Sequence, residues 1–167
     1  MKLDVSDLLE KDLFTKELDL ILEEDSFYDG SEHIDVVKPI KFSGSLEKTG
    51  DIFVLKGEVD TVLKLTCSRC LKKFDYAVNI EIYEKFTDSE MINKDEDIIF
   101  INNGYIDINE ILENNIILTL PIKRLCKKDC KGLCPKCGTN LNDSTCNCKK
   151  DEVDPRWAEL KNMFSKN

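Results

Sequence analysis

The stretch FVLKGEVDTVLKLTCSRCLKKFDYAVNIEIYEKF, Phe53 to Phe86, decides the fold. Ahead of CSRC, Phe53, Leu55, Val59, Leu63 and Leu65 occupy alternate positions, with Lys56, Glu58, Asp60 and Lys64 between them. Beyond it, Phe74, Tyr76, Val78, Ile80, Ile82 and Phe86 alternate with Asp75, Asn79, Glu81 and Lys85. Successive strand side chains point to opposite faces, so this alternation means two long strands with one face buried. Cys67 and Cys70 then sit at the turn of a long hairpin.

Outward from that hairpin, Ile40 to Leu46 also alternates and enters the next strand through EKTGD, a turn sequence. Shorter strand signals lie at Lys2–Val5, Glu17–Glu23 and Ile98–Ile101. The pattern changes after Asp107, where Glu110 supplies a capping-box-like start. Ile108, Ile111, Leu112 and Ile116 share one helical face until Pro121 ends the run, predicting a helix over about 108–119. A second, short helix is expected near the C-terminus, with Asp154 as N-cap, Pro155 at the first position, and Trp157, Leu160 and Phe164 on one face. The stretch 87–97 reads as a solvated loop. Between Pro121 and Asp154 there is little periodicity, as in a segment ordered by metal rather than by a core.

A chain of 167 residues, 41% hydrophobic and 34% charged, is long enough to bury an ordinary core and needs no staples to fold. The acidic N-terminal stretch has no uninterrupted apolar region, so no signal peptide is expected, and no apolar run reaches the length of a spanning helix. The expected location is the cytoplasm, where thiols stay reduced unless a metal holds them or catalysis uses them.

That frames the eight cysteines. Six lie in CKKDCKGLCPKCGTNLNDSTCNC, Cys126 to Cys148, and form close pairs Cys126/Cys130, Cys134/Cys137 and Cys146/Cys148; Cys67/Cys70 is the fourth pair. A C-x₂-C turn aims two thiolates at one ion, and the Pro and Gly of CPKCG favour such a turn. Eight thiols divide into two Cys₄ tetrahedra, so two structural Zn²⁺ sites are expected. The favoured division keeps sequence neighbours together: Cys134, Cys137, Cys146 and Cys148 join through a short loop of low closure entropy, leaving Cys67, Cys70, Cys126 and Cys130 to pin the C-terminal segment to the hairpin end. The competing division joins Cys126 and Cys130 with Cys146 and Cys148, and CSRC with CPKC. Iron would need similar thiolates. A redox C-x₂-C opens a helix in a βαβ context, which neither pair has here.

A catalytic zinc keeps an open position and usually has histidine ligands. The single histidine, His33, lies in the acidic, loop-like DGSEHID and reads as a surface residue. H-x-E, G-x-S-x-G, P-loop and G-x-G-x-x-G patterns are all absent. The expectation is a structural metal, no enzyme and no small-molecule substrate.

Charge is unevenly placed. Residues 1–120 carry 13 Lys/Arg against 27 Asp/Glu, whereas 121–150 carry eight basic residues against Asp129 and Asp143. With Arg69, Lys72 and Lys73 counted in, two zinc ions and eight thiolates leave about +5 near the cysteines. Compensation of thiolate charge therefore does not exhaust the positive charge. Arg69, Lys72, Lys73, Lys123, Arg124, Lys127, Lys128, Lys131 and Lys136 are candidate contacts to RNA or another partner. The acidic remainder of the chain would repel nucleic acid at longer range.

CSRCLKKF after a long strand, the helix ending in LTLP, DCKGLCPKCGTNLN and DPRWAEL together resemble the YceD-like family of large ribosomal RNA accumulation proteins, in its cysteine-rich branch. The resemblance spans roughly residues 35–165. It implies a cytoplasmic bacterial protein that supports synthesis, processing or stability of large-subunit (23S) rRNA without enzymatic activity. Its implied partners are that rRNA or a pre-ribosomal particle, or else a ribosomal or assembly protein, with no membrane. Members outside this branch lack most of the C-terminal cysteines, which marks zinc as a scaffold. Two alternatives stand beside this: an adaptor whose acidic face holds a basic ribosomal protein, and a redox-sensing zinc protein.

The expected architecture is α+β: a curved, mainly antiparallel, barrel-like sheet with one or two packed helices and a zinc-ordered C-terminal segment. Residues 1–120 would form the β-rich domain, and 121–167 the cysteine-rich zinc-binding segment with its short helix.

Overall fold

The computed structural model describes residues 1–6, 13–89, 98–101 and 104–148. The expected helix around Trp157, and most of the 87–97 loop, lie outside the described residues. The chain is mostly strand: β1 (Lys2–Asp4), β2 (Leu13–Leu22), β3 (Ser26–Tyr28), β4 (His33–Thr49), β5 (Ile52–Thr66), β6 (Lys73–Thr87), β7 (Ile98–Phe100) and β8 (Tyr105–Asp107), followed by α1 (Ile108–Thr119). The main sheet runs β2-β4-β5-β6-β7, with β3 also on β4, and curves as a half-barrel. All its pairings are antiparallel except β6 with β7. A small second sheet pairs β1 with β8.

The β5–β6 hairpin is in unbroken register from Ile52↔Thr87 to Thr66↔Lys73. Its inner face carries Phe53, Leu55, Val59, Leu63, Leu65, Val78, Ile82 and Phe86, all buried. The alternation is interrupted at Gly57, which faces Gly44 across β4. A Cβ on Gly44 would lie 2.2 Å from the Lys56 carbonyl oxygen, and one on Gly57 would lie 2.5 Å from that of Ser43. Both would strike the Phe42 ring at 2.8 Å, so the ring lies where two side chains would otherwise stand. Such glycines let strands approach closely and a sheet bend sharply, with an aromatic ring covering the gap.

β4 is longer than its alternating stretch suggests. Its first residues, read above as part of a loop, pair with β3, and the exposed His33 ring lies 5.2 Å from that of Tyr28. Register shifts occur between Val36 and Lys41, around Pro39, whose missing N–H is tolerated at a bulge. Thr61 donates its hydroxyl to the Lys38 carbonyl there (2.8 Å). β3 was missed in the sequence because only Phe27 marks its buried face.

α1 begins where its cap dictates: Asp107 accepts from the Glu110 N–H, and Pro121 follows the Leu120 C-cap. Ile108, Ile111, Leu112 and Ile116 are buried, each burial being worth about 1.5–3 kcal/mol. Asn115 donates to Glu84 of β6 (2.8 Å) and Asn109 to Glu24 in the turn between β2 and β3, tying the helix to the sheet. No described helix is long and apolar enough to cross a membrane.

By proximity of its residues the chain divides into two compact units. One comprises Met1–Ser68 and Lys72–Cys126, and the other Arg69–Leu71 and the chain from Lys127. Three residues of the hairpin turn thus group with the cysteine-rich segment.

Candidate metal centres

The two C-x₂-C sequences build the same local structure. In CSRCLK the Cys67 N–H donates to the Lys72 carbonyl (3.0 Å), and in CPKCGT the Cys134 N–H donates to the Thr139 carbonyl (2.8 Å). In both, the residue after the second cysteine is left-handed: Gly138 at φ 72° and Leu71 at φ 59°. Glycine accepts that conformation freely, whereas a leucine there costs roughly 1–2 kcal/mol.

The second knuckle is reinforced around its turn. Gly138 N–H donates to the Cys134 carbonyl (2.9 Å), Leu133 bridges Asn140, and Leu141 N–H donates to the Gly132 carbonyl (2.9 Å). N–H groups of Cys137 and Lys136 donate to the Cys134 sulfur and lower its pKa. The Thr139 hydroxyl (3.1 Å) and N–H bring Cys137 down to about 6. Cys148 is pushed up to about 12, chiefly by its hydrogen bond to Cys137 and by desolvation. Backbone donors thus stabilise thiolate at the knuckle, the form a metal binds.

Cys67 and Cys126 are brought together by Arg124. Its carbonyl accepts from the Ser68 N–H (2.7 Å), and its guanidinium reaches Asp29 and, at 2.6 Å, Glu32. The Asp29 side chain is 3% exposed and that of Arg124 17%. Burial alone would raise the Asp29 carboxyl, but the Glu32 N–H, the Arg124 guanidinium and Ser31 overcome it and hold the group well below the usual carboxylate range. Cys70 and Cys130 are joined through Arg69, whose guanidinium donates to the Cys130 carbonyl (2.8 Å) and whose own carbonyl accepts from the Leu133 N–H (3.1 Å). The Asn142 amide donates to the Cys130 sulfur (3.3 Å) while its oxygen accepts from the Lys131 N–H (2.9 Å).

All eight cysteines are free thiols. They gather as Cys67, Cys70, Cys126 and Cys130, and as Cys134, Cys137, Cys146 and Cys148, with the ligand atoms in each group within 4.8 Å of one another. Four thiolates around one tetrahedral ion at about 2.3 Å place their sulfurs roughly 3.8 Å apart, so either group could hold a metal ion.

The candidate basic contacts divide. Arg124 is half-buried in its carboxylate pair, and Lys73 pairs with Asp35 at 2.8 Å. Lys72, Lys123, Lys127, Lys128, Lys131 and Lys136 are exposed, as is Arg69 beyond its bond to Cys130. Sequence reasoning counted Arg124 among surface cations because its partners lie 92 and 95 residues away along the chain, beyond any local pattern. The signal it could have used was the acidic turn DGSE itself.

A family model described as large ribosomal RNA subunit accumulation protein YceD matches residues 55–164. An uncharacterised protein of Mycobacterium leprae is 27% identical over 131 residues, 76% of this chain and 60% of its own. The uncharacterised YlbN of Bacillus subtilis is 28% identical over 134 residues, 77% of this chain and 76% of its own. The Arabidopsis thaliana protein named large ribosomal RNA subunit accumulation protein YCED homolog 1, chloroplastic, is 38% identical over 58 residues, 35% of this chain and 18% of its own. The chain thus spans about 60% of the length of the mycobacterial relatives it matches. No solved structure matches.

Proposed function

The chain belongs to the YceD family of large ribosomal RNA subunit accumulation proteins, and we propose that it is a non-enzymatic cytoplasmic factor supporting the synthesis, processing or stability of large-subunit rRNA. The observation that carries this reading is the extent of the family match, residues 55–164, which takes in the hairpin from Leu55 on, α1 and all eight cysteines. Two structural zinc ions complete it, one held by Cys67, Cys70, Cys126 and Cys130 and the other by Cys134, Cys137, Cys146 and Cys148. The donor set supports zinc: all-thiolate groups of four, with backbone donors at the knuckle sulfurs, suit a closed tetrahedral site with no position for water. The partner is large-subunit rRNA or a pre-ribosomal particle, met by the exposed lysines of the cysteine-rich unit.

Deletion of the gene should lower mature large-subunit rRNA relative to small-subunit rRNA, read by quantitative electrophoresis of total RNA. An unchanged ratio in a clean deletion overturns the assignment.

A second reading, an adaptor for a basic ribosomal protein, is favoured by the outer face of the sheet. Asp19, Ser43, Glu58 and Glu81 are successive register partners across β2, β4, β5 and β6, which sets Glu58 directly against Glu81. Like charges opposed across strands are destabilising unless something else compensates them. Crosslinking in cells to a basic protein through this face, with no RNA adduct, selects the adaptor.

A further inference from the structure

We infer that Leu71 is the apolar contact of a binding surface for unpaired RNA on the cysteine-rich unit, an inference that rests on the rRNA reading above. Leu71 is the one non-glycine residue at positive φ among the described residues, and its counterpart in the matching knuckle is Gly138. The backbone would be better served by glycine at both places. Burial does not explain the leucine either, because the residue is 64% exposed. Among the described residues nothing covers that side chain, and a strained conformation carrying an outward apolar side chain points to a binding role.

The surroundings identify what it meets. Arg69 lies two residues before it and Lys72 directly after it in sequence, both exposed, and the compact unit that holds Arg69 and Leu71 also presents exposed Lys127, Lys128 and Lys131. The unit's described acids are two, Asp129 and Asp143, the latter accepting from the Asn140 amide (2.8 Å), against Arg69, Lys127, Lys128, Lys131 and Lys136. Lysine is depleted at protein–protein interfaces, and leucine is under-represented among their hot spots. An apolar wedge among cations instead suits nucleic acid: the cations take phosphates, and the wedge packs against a base or between steps. In A-form duplex RNA the bases are stacked away from such a contact, so the ligand is RNA with unpaired bases.

The test uses the full-length, zinc-loaded protein and a labelled single-stranded RNA oligonucleotide, with the same sequence as a duplex for comparison. Wild type should prefer the single strand and lose affinity steeply with salt. Leu71→Gly should bind about tenfold more weakly, as loss of one buried apolar side chain implies. It should keep the salt slope, the metal content and a melting temperature no lower than wild type's. Leu71→Met should bind as wild type does, and charge removal in Lys127→Gln/Lys128→Gln/Lys131→Gln should flatten the salt slope. Unaltered binding by Leu71→Gly, or a wild type that prefers the duplex or binds neither, overturns the inference. The rRNA ratio of the deletion strain judges the ribosomal reading separately, so an altered ratio with leucine-independent binding removes this inference alone.

Discussion

The two compact units are ordered by different physics. In the first, a continuous interior runs from Val5 and Leu18 through Phe42, Phe53 and Phe86 to Ile116. Among the described residues of the second, no aliphatic or aromatic side chain belongs to that core, and the buried cysteines are Cys70, Cys130 and Cys134. Its shape is drawn instead by backbone bonds around the CPKC turn and by the Asn140 and Asn142 side chains. Hydrophobic burial is non-directional and tolerant of sequence, whereas such polar frames gain little net stability in water. A segment of this kind needs an ion at its centre, and a sheet of the first kind does not.

Metal removal should separate the two most sharply. Native mass spectrometry should find two zinc ions per chain, and each structural site should contribute on the order of 10 kcal/mol of apparent binding free energy. After chelation, hydrogen exchange should accelerate at the Leu133, Cys134 and Leu141 amides while the β5 amides stay protected. Equal loss of protection in both places would break the comparison.

Gly57→Val acts in the opposite direction. The added side chain has backbone at 2.5 and 2.7 Å to displace, so it should destabilise the sheet by about 3 kcal/mol. Metal stoichiometry should survive in the folded fraction. Denaturant unfolding measures the first and elemental analysis the second; loss of both ions at full sheet stability would reverse the assignment of what supports what.

A smaller effect is expected at the Asp29–Arg124 pair. Asp29→Asn should cost about 2 kcal/mol, as loss of a hydrogen bond between charged groups does. Because the folded-state pKa of Asp29 is depressed, its contribution is complete above its unfolded value near 3.9 and is lost as pH falls through the folded one. The stability gap between wild type and variant should therefore be widest near neutral pH and close in acid. A gap independent of pH would mean that the turn hydrogen bonds, not the charge, hold Arg124. With Arg124 released, Cys126 should become the first of its group to be alkylated.

By itself the sequence determined whatever depends on near neighbours. Alternation placed the β5 and β6 faces because successive strand side chains must diverge, and the buried set follows it from Phe53 to Leu65. Asp107, Glu110 and the 3.6-residue period placed α1 and its buried face. C-x₂-C spacing marked both knuckles, since a tight turn is a local matter. The short connecting loop already favoured joining Cys134, Cys137, Cys146 and Cys148. Only the tertiary structure decided that Cys67 and Cys70 meet Cys126 and Cys130, because that contact spans more than fifty residues. Arg124 looks in sequence like one more cation of a basic segment, and only folding brings Asp29 and Glu32 to it. Leu71 reads as an ordinary apolar residue after a cysteine. Its left-handed backbone is imposed by closing the Cys67–Lys72 turn at the end of a paired hairpin, a constraint carried by the strands rather than by the residue.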